Sequence, residues 1–284
     1  MEVILGKTAG FCFGVENAVN NTKNELNKNE KVYALGELTH NRQVMNELEN
    51  KGLIVRENIK DIPDNSTVIF RAHGVPPKIY EIAKEKNLNI VDLTCKSVLR
   101  IHNLVSDFVN KGNYIFVIGK KEHPEIVGIC GFCRENASVI LNEDDINEAI
   151  KNFKKTGLKK VVIIAQTTFN FEKFNNLVHK IKDDIGKEYE IEVINTICNA
   201  TVIRQKETDD ISKNVDMMII IGGKNSSNTE KLYNIAKSNC ENTIWIETKD
   251  EIHEIENVSK VGIMAGASTP KESIMDVVEY IKGK

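Results

Sequence analysis

The sequence predicts an α/β protein made of three pseudo-repeated units. Two observations carry that prediction. Many short apolar runs rich in β-branched residues lie along the chain, do not alternate with polar residues, and are separated by stretches of helical length. Such runs are what parallel strands buried on both faces look like. Three of them also end in a cysteine and lead into a helix-like segment: VILGKTAGFC at Cys12, LNIVDLTC at Cys95 and IEVINTIC at Cys198.

Each interval between these cysteines has room for one small α/β unit, and the elements follow in order. After Cys12, FGVENAVNNTKNEL reads as a helix, and VYALGELTHN and TVIFRAHGV read as strands ending at His40 and His73. After Cys95, KSVLRIHNLVSDFVNK is helical, YIFVIGKKEHPE ends at His123 and Glu125, and KVVIIAQTT ends at Thr167 and Thr168. After Cys198, NATVIRQKETDDISKN is helical, and MMIIIGGKNSSN and KVGIMAGAST supply the last two strands. The tail KESIMDVVEYIKGK is amphipathic and reads as a closing helix. The expected domains are 1–95 with Cys12, 96–195 with Cys95 at its start, 196–270 with Cys198, and the helix 271–284. Ligands of open parallel sheets bind outside the carboxyl ends of the strands, where all nine polar endings fall.

The bulk numbers exclude several classes. A formal charge of -3 and a pI near 6.1 leave no electrostatic footprint for nucleic acid. The start MEVILGKTAG lacks the basic and apolar regions of a signal peptide, and the longest apolar run, MMIII, is far too short to span a bilayer. A cytoplasmic protein with no membrane partner is expected. In that reducing compartment the six cysteines are free, catalytic or metal-binding rather than disulfide-bonded.

One strand-end cysteine is ordinarily a small buried hydrophobe. Three in the same context suit a metal group, either zinc with a fourth ligand or an iron-sulfur cluster with one iron open. The start of a helix also favours the thiolate such a group requires. Cys130 and Cys133 form a lone CxxC without a second pair, and Cys240 ends a helix; neither repeats the pattern. His102, His179 and His253 read as structural or solvated. His40, His73 and His123, each in a polar turn after a strand, suit a hydrogen-bond-donating pocket. In GGKNSSN the glycines permit close backbone approach, and Ser226, Ser227 and Asn228 can donate to phosphate oxygens at a helix start. The same residues also suit a simple helix cap, as does Ser268 of AGAST. Two hydroxyl-rich strand ends and three histidines together fit a diphosphate.

Taken in order from residue 10 to residue 270, GFCFGVENAV, GELTHN, RAHGV, DLTC, HPEIVG, AQTT, NTICNAT, NSSN and AGAST resemble the 4-hydroxy-3-methylbut-2-enyl diphosphate reductase (IspH/LytB) family. The resemblance implies a trefoil of three α/β domains around a central 4Fe-4S cluster, with Cys12, Cys95 and Cys198 as ligands and one iron open. It implies reductive removal of an allylic hydroxyl by two electrons and two protons, giving isopentenyl and dimethylallyl diphosphate in the non-mevalonate isoprenoid pathway. Carried over motif by motif, His40, His73, His123, Ser226, Ser227, Asn228 and Ser268 bind the diphosphate. Glu125 donates the proton, and Thr167 positions the hydroxyl end. The implied partners are the diphosphate substrate and an electron donor such as ferredoxin or flavodoxin. One departure stands out: the family often has proline after the second cysteine, where this chain has Lys96. That bears on local stability or donor docking, not on ligation.

Two other classes compete with this reading. One is a non-redox lyase or synthase of similar threefold architecture, as in quinolinate synthase, in which the open iron is only a Lewis acid. The other is an interaction protein stabilised by zinc or a cluster. The HPE acid and the NSSN cradle favour the reductase.

Overall fold

The computed structural model describes residues 1–28, 31–253, 255 and 258–283. Along the chain the elements are β1 (Glu2–Leu5), α1 (Phe13–Lys28), β2 (Val32–Leu35), α2 (Arg42–Asn50), β3 (Leu53–Arg56), β4 (Thr67–Phe70), α3 (Pro77–Glu85) and β5 (Asn89–Asp92). There follow α4 (Lys96–Asn110), β6 (Tyr114–Ile118), α5 (Pro124–Phe132), β7 (Ala137–Ile140), α6 (Ile146–Lys155), β8 (Lys160–Ala165), α7 (Phe171–Ile185) and β9 (Glu190–Val193). The chain ends with α8 (Asn199–Ser212), β10 (Met217–Ile221), α9 (Ser227–Asn239), β11 (Thr243–Ile246), β12 (Lys260–Ala265) and α10 (Lys271–Lys282).

Three four-stranded sheets result, with strand orders β1-β12-β10-β11, β3-β2-β4-β5 and β7-β6-β8-β9. Every pair whose register is described is parallel. The inner strands explain the unbroken apolar runs: all five residues of β6 and of β10 are buried. In β10 the side chains divide with a period of two. Met217, Ile219 and Ile221 pack with α10, while Met218 and Ile220 pack with Leu232 and Ala236 of α9. The last helix, α10, buries Ile274, Val277, Val278 and Ile281.

The sheets cut across the linear division at residues 95 and 195. β1 pairs with β12, so Cys12 stands at the end of a strand in the sheet of the last third. Likewise β5 and β9, which lead to Cys95 and Cys198, close the sheets of β2–β4 and β6–β8. All three strands lie at sheet edges, where their half-exposed patterns fit. Contacts group the chain into two compact units. The first comprises Met1–Lys31, Glu37–Val55 and Asn199–Lys284, and the second Val32–Gly36 and Arg56–Cys198. Among the described residues no helix is long and apolar enough to cross a membrane.

Candidate active site

In the second unit the chain reaches Cys95 from β5 and Cys198 from β9. The amide of Cys95 donates to the carbonyl of Ala72 at 3.0 Å, and that of Cys198 to the carbonyl of Thr167 at 2.9 Å. Each cysteine is thus tied to the residue just past the neighbouring strand. Cys95 is the N-cap of α4 but makes no side-chain capping bond, and both thiols are free and half-buried. Lys96 is the exposed first residue of α4.

His123, Pro124 and Glu125 form the start of α5. The His123 Nδ1 accepts from the Glu125 amide at 3.2 Å, which places the ring proton on Nε2, where it can be donated. Proline at the first helical position costs no hydrogen bond. The His73 and His123 rings meet edge to face, with centroids 5.3 Å apart. Glu125 is only 2% exposed, yet its carboxylate is well held. The Thr167 amide donates to Oε1 and the Thr167 hydroxyl to Oε2, each at 2.6 Å. A buried carboxyl group fixed in this way, beside a histidine donor, is arranged for directed proton transfer.

His102 sits behind this site. It is 2% exposed and stacks on Phe132 with centroids 4.3 Å apart, and neither ring nitrogen has a hydrogen-bond partner among the described residues. Burial pushes its pKa down to about 4 against the pull of Asp92. Gly74, which follows His73 at φ +74°, makes room for it, since a Cβ there would lie 2.6 Å from the His102 Cε1. Burial raises the Cys130 thiol to about 11 and the Cys133 thiol higher still, and the Cys133 Sγ donates to the Ile129 carbonyl.

In the first unit the Cys12 amide donates to the Ala267 carbonyl at 3.1 Å, the same tie seen at the other two cysteines. The Cys12 thiol is also free and half-buried. His40 lies against the GGKNSSN turn: a Cβ on Gly223 would collide with the His40 carbonyl, so only glycine permits this approach. Ser226 caps α9, its side chain accepting from the Thr229 amide, while its own hydroxyl hydrogen stays available for an acceptor. Asn228 is 7% exposed and its Nδ2 has no hydrogen-bond partner among the described residues, an arrangement that costs about 1–3 kcal/mol until an acceptor arrives. Ser268 is buried, but it does not cap α10; Pro270 occupies that position without a side-chain bond.

Three further residues carry no motif in the sequence. Lys231 donates to the Ser227 Oγ at 2.8 Å and brings a cation beside the GGKNSSN turn; its spacing four residues after Ser227 on α9 was the available signal. Arg204 and Glu207 of α8 bond to the loop before Cys12. Burial raises the Glu207 carboxyl, but the hydroxyl and amide of Thr8 and the amide of Lys7 outweigh it and hold the group below its usual range.

Thiols, imidazoles, a buried carboxyl and an amide-hydroxyl cradle thus stand at the carboxyl ends of parallel strands. That defines a class: α/β proteins whose ligand chemistry is carried by strand-end turns. Within it, the chain belongs to the LytB family, since the family model described as "LytB protein" matches residues 3–282. It is 43% identical over 288 residues to the 4-hydroxy-3-methylbut-2-enyl diphosphate reductase of Clostridioides difficile, with 99% of each chain covered. Its fold is similar to the solved E-1-hydroxy-2-methyl-but-2-enyl-4-diphosphate reductase of Plasmodium falciparum, with a TM-score of 0.91 and 29% identity over 99% of this chain and 88% of that one. A second solved structure, an (E)-4-hydroxy-3-methyl-but-2-enyl diphosphate reductase described as the terminal enzyme of the non-mevalonate pathway, matches with a TM-score of 0.72 and 39% identity over 100% of both chains.

Proposed function

We propose that this protein is a 4-hydroxy-3-methylbut-2-enyl diphosphate reductase that removes the allylic hydroxyl as water, using two electrons and two protons, to give isopentenyl and dimethylallyl diphosphate. The observation that carries the reading is the identical backbone tie at Cys12, Cys95 and Cys198. It supports three equivalent roles for three free thiols at helix starts. The reductase name of the reported relatives favours this chemistry over a non-redox lyase.

Cys12, Cys95 and Cys198, three free thiols, would hold a 4Fe-4S cluster. When bound, the cluster supplies the electrons and a Lewis-acidic iron for the hydroxyl oxygen. The remaining roles fall to the chain's own residues. His123, with its proton on Nε2, donates to the diphosphate, as do His40 and His73. The Asn228 amide, the Ser226, Ser227 and Ser268 hydroxyls and the Lys231 charge take further diphosphate oxygens, and binding gives the Nδ2 its missing acceptor. Glu125 delivers a proton to the departing hydroxyl, a poor leaving group as hydroxide, and Thr167 holds the carboxyl in place. An external electron donor such as ferredoxin or flavodoxin completes the cycle.

The test is made on anaerobically purified protein: iron and sulfide content, then product analysis after chemical reduction with the hydroxylated diphosphate present. Four irons and four sulfides per chain, with both isopentenyl and dimethylallyl diphosphate formed, are expected. Zinc, or no metal after reconstitution, would overturn the reading.

A further inference from the structure

We propose that Arg204 and Glu207 form a clamp that fixes the loop leading into Cys12 and thereby sets how tightly that thiol keeps its metal group. The inference rests on the reading of Cys12 as a cluster ligand. Both residues lie on α8, three apart and therefore on one face of the helix. Arg204 is 4% exposed, and its guanidinium bonds to two backbone carbonyls: Nε to Thr8 at 2.8 Å and Nη2 to Gly10 at 2.7 Å. Glu207 does the reverse. Its Oε1 accepts from the Lys7 amide at 2.6 Å, and its Oε2 accepts from the Thr8 amide at 2.9 Å and from the Thr8 hydroxyl.

A short segment without regular structure is thus gripped on both donors and acceptors by one helix. Two residues later the Cys12 amide is tied to Ala267, so the backbone on the approach to the thiol is anchored at α8 and again beyond β12. Hydrogen bonds to charged groups are the strong ones, and five of them converge on Lys7, Thr8 and Gly10. What they secure is the position of the atom that follows. Groups that orient a metal ligand change metal affinity by about 10–100-fold when removed, although they never touch the metal.

The experiment uses the full chain purified anaerobically, comparing wild type with Arg204→Gln, Arg204→Lys and Glu207→Ala. Iron release to a chelator and hydrogen exchange of residues 6–12 are followed, with far-UV circular dichroism as the check on folding. Arg204→Gln is expected to release iron about tenfold faster with unchanged secondary structure, and Arg204→Lys, which keeps the charge but not the fork, to fall between. Glu207→Ala is expected to speed exchange of the Lys7 and Thr8 amides about tenfold in loaded and metal-free protein alike, since both lose their acceptor. An iron-containing wild type whose Arg204→Gln variant releases iron at the same rate overturns the clamp. If Arg204→Gln does not fold, unchanged exchange in Glu207→Ala overturns it instead. A wild type without iron and sulfide overturns the cluster reading, and with it the clamp's role toward the metal.

Discussion

Two sheets of the molecule, β9-β8-β6-β7 and β1-β12-β10-β11, share one backbone plan but carry different side chains at their turns. In both, an edge strand leads to a cysteine whose amide bonds just beyond the second strand, at Thr167 or Ala267. In both, the second strand is followed by a buried hydroxyl residue, Thr167 or Ser268, and the third by a helix-capping turn, His123 or Ser226. The difference lies two residues into the turn. Glu125 finds two donors from its own sheet, whereas the Asn228 Nδ2 finds no acceptor among the described residues. A satisfied buried carboxyl group is a device that works repeatedly without leaving its place. An unsatisfied buried amide is one that an added acceptor can still satisfy. The same frame therefore differs in what it leaves unpaired, and on the proposed reading that difference separates the proton donor from the diphosphate anchor.

The strongest way to break that comparison is Glu125→Gln. The glutamine carbonyl can still accept from the Thr167 amide, and the threonine hydroxyl can turn to accept from the new NH2 group, so the cost to folding is about 1–2 kcal/mol. Loss of the acid is expected to lower turnover by about 10²–10⁴-fold. Assay of the reduced, iron-loaded variant checks this, and near-normal turnover would remove Glu125 from the proton path.

A smaller effect with the opposite signature is expected on the anchor side. Asn228→Ala deletes an amide whose Nδ2 lacks a partner among the described residues, so the ligand-free protein should be unchanged or stabilised by up to about 1–3 kcal/mol. Affinity for inorganic diphosphate, measured by calorimetry, should fall about tenfold. Ser226→Ala should differ by costing about 1 kcal/mol of stability without any ligand, because its side chain caps α9. Equal losses of diphosphate binding and ligand-free stability in both variants would make the turn a mere cap.

Much of this was legible in the sequence because it depends on local pattern. Unbroken apolar runs marked the inner strands, and polar residues after them marked the turns. The glycines before NSSN marked a close backbone approach to a ligand; the contact found at Gly223 is with the His40 carbonyl of the chain itself. What stayed hidden was long-range pairing. Nothing local in EVIL says that β1 joins β12 rather than β2, so Cys12 was assigned to the first third of the chain. Arg204 and Glu207 sit in a helix of low amphipathic contrast, and their partners lie about two hundred positions away. Ser268 looked like a helix cap because it stands before Thr269-Pro270, but the proline takes that position with its own backbone.

The last and smallest prediction concerns what supports the acid side. His102 has no hydrogen-bond partner among the described residues and lies against Gly74, beside His73, and against Gly128 of α5, the helix that begins at Pro124 and Glu125. Its pKa in the folded protein is about 4, against 6.5 for an ordinary histidine. The unfolded chain therefore takes up a proton at about pH 6.5, while the folded one resists until about pH 4. Between those values the unfolded state binds more protons, so stability is full above pH 6.5 and falls as the pH drops toward 4, by about 2–3 kcal/mol from this group. His102→Leu removes both unpaired nitrogens and is expected to be neutral or slightly stabilising at pH 7.5. Urea unfolding at pH 7.5 and pH 4.5 should show wild type losing about 2 kcal/mol more than the variant between the two conditions. Equal losses would mean that the imidazole is already charged in the folded protein. The support behind the His73 turn would then be an ion pair with Asp92, not a neutral ring held in place by packing alone.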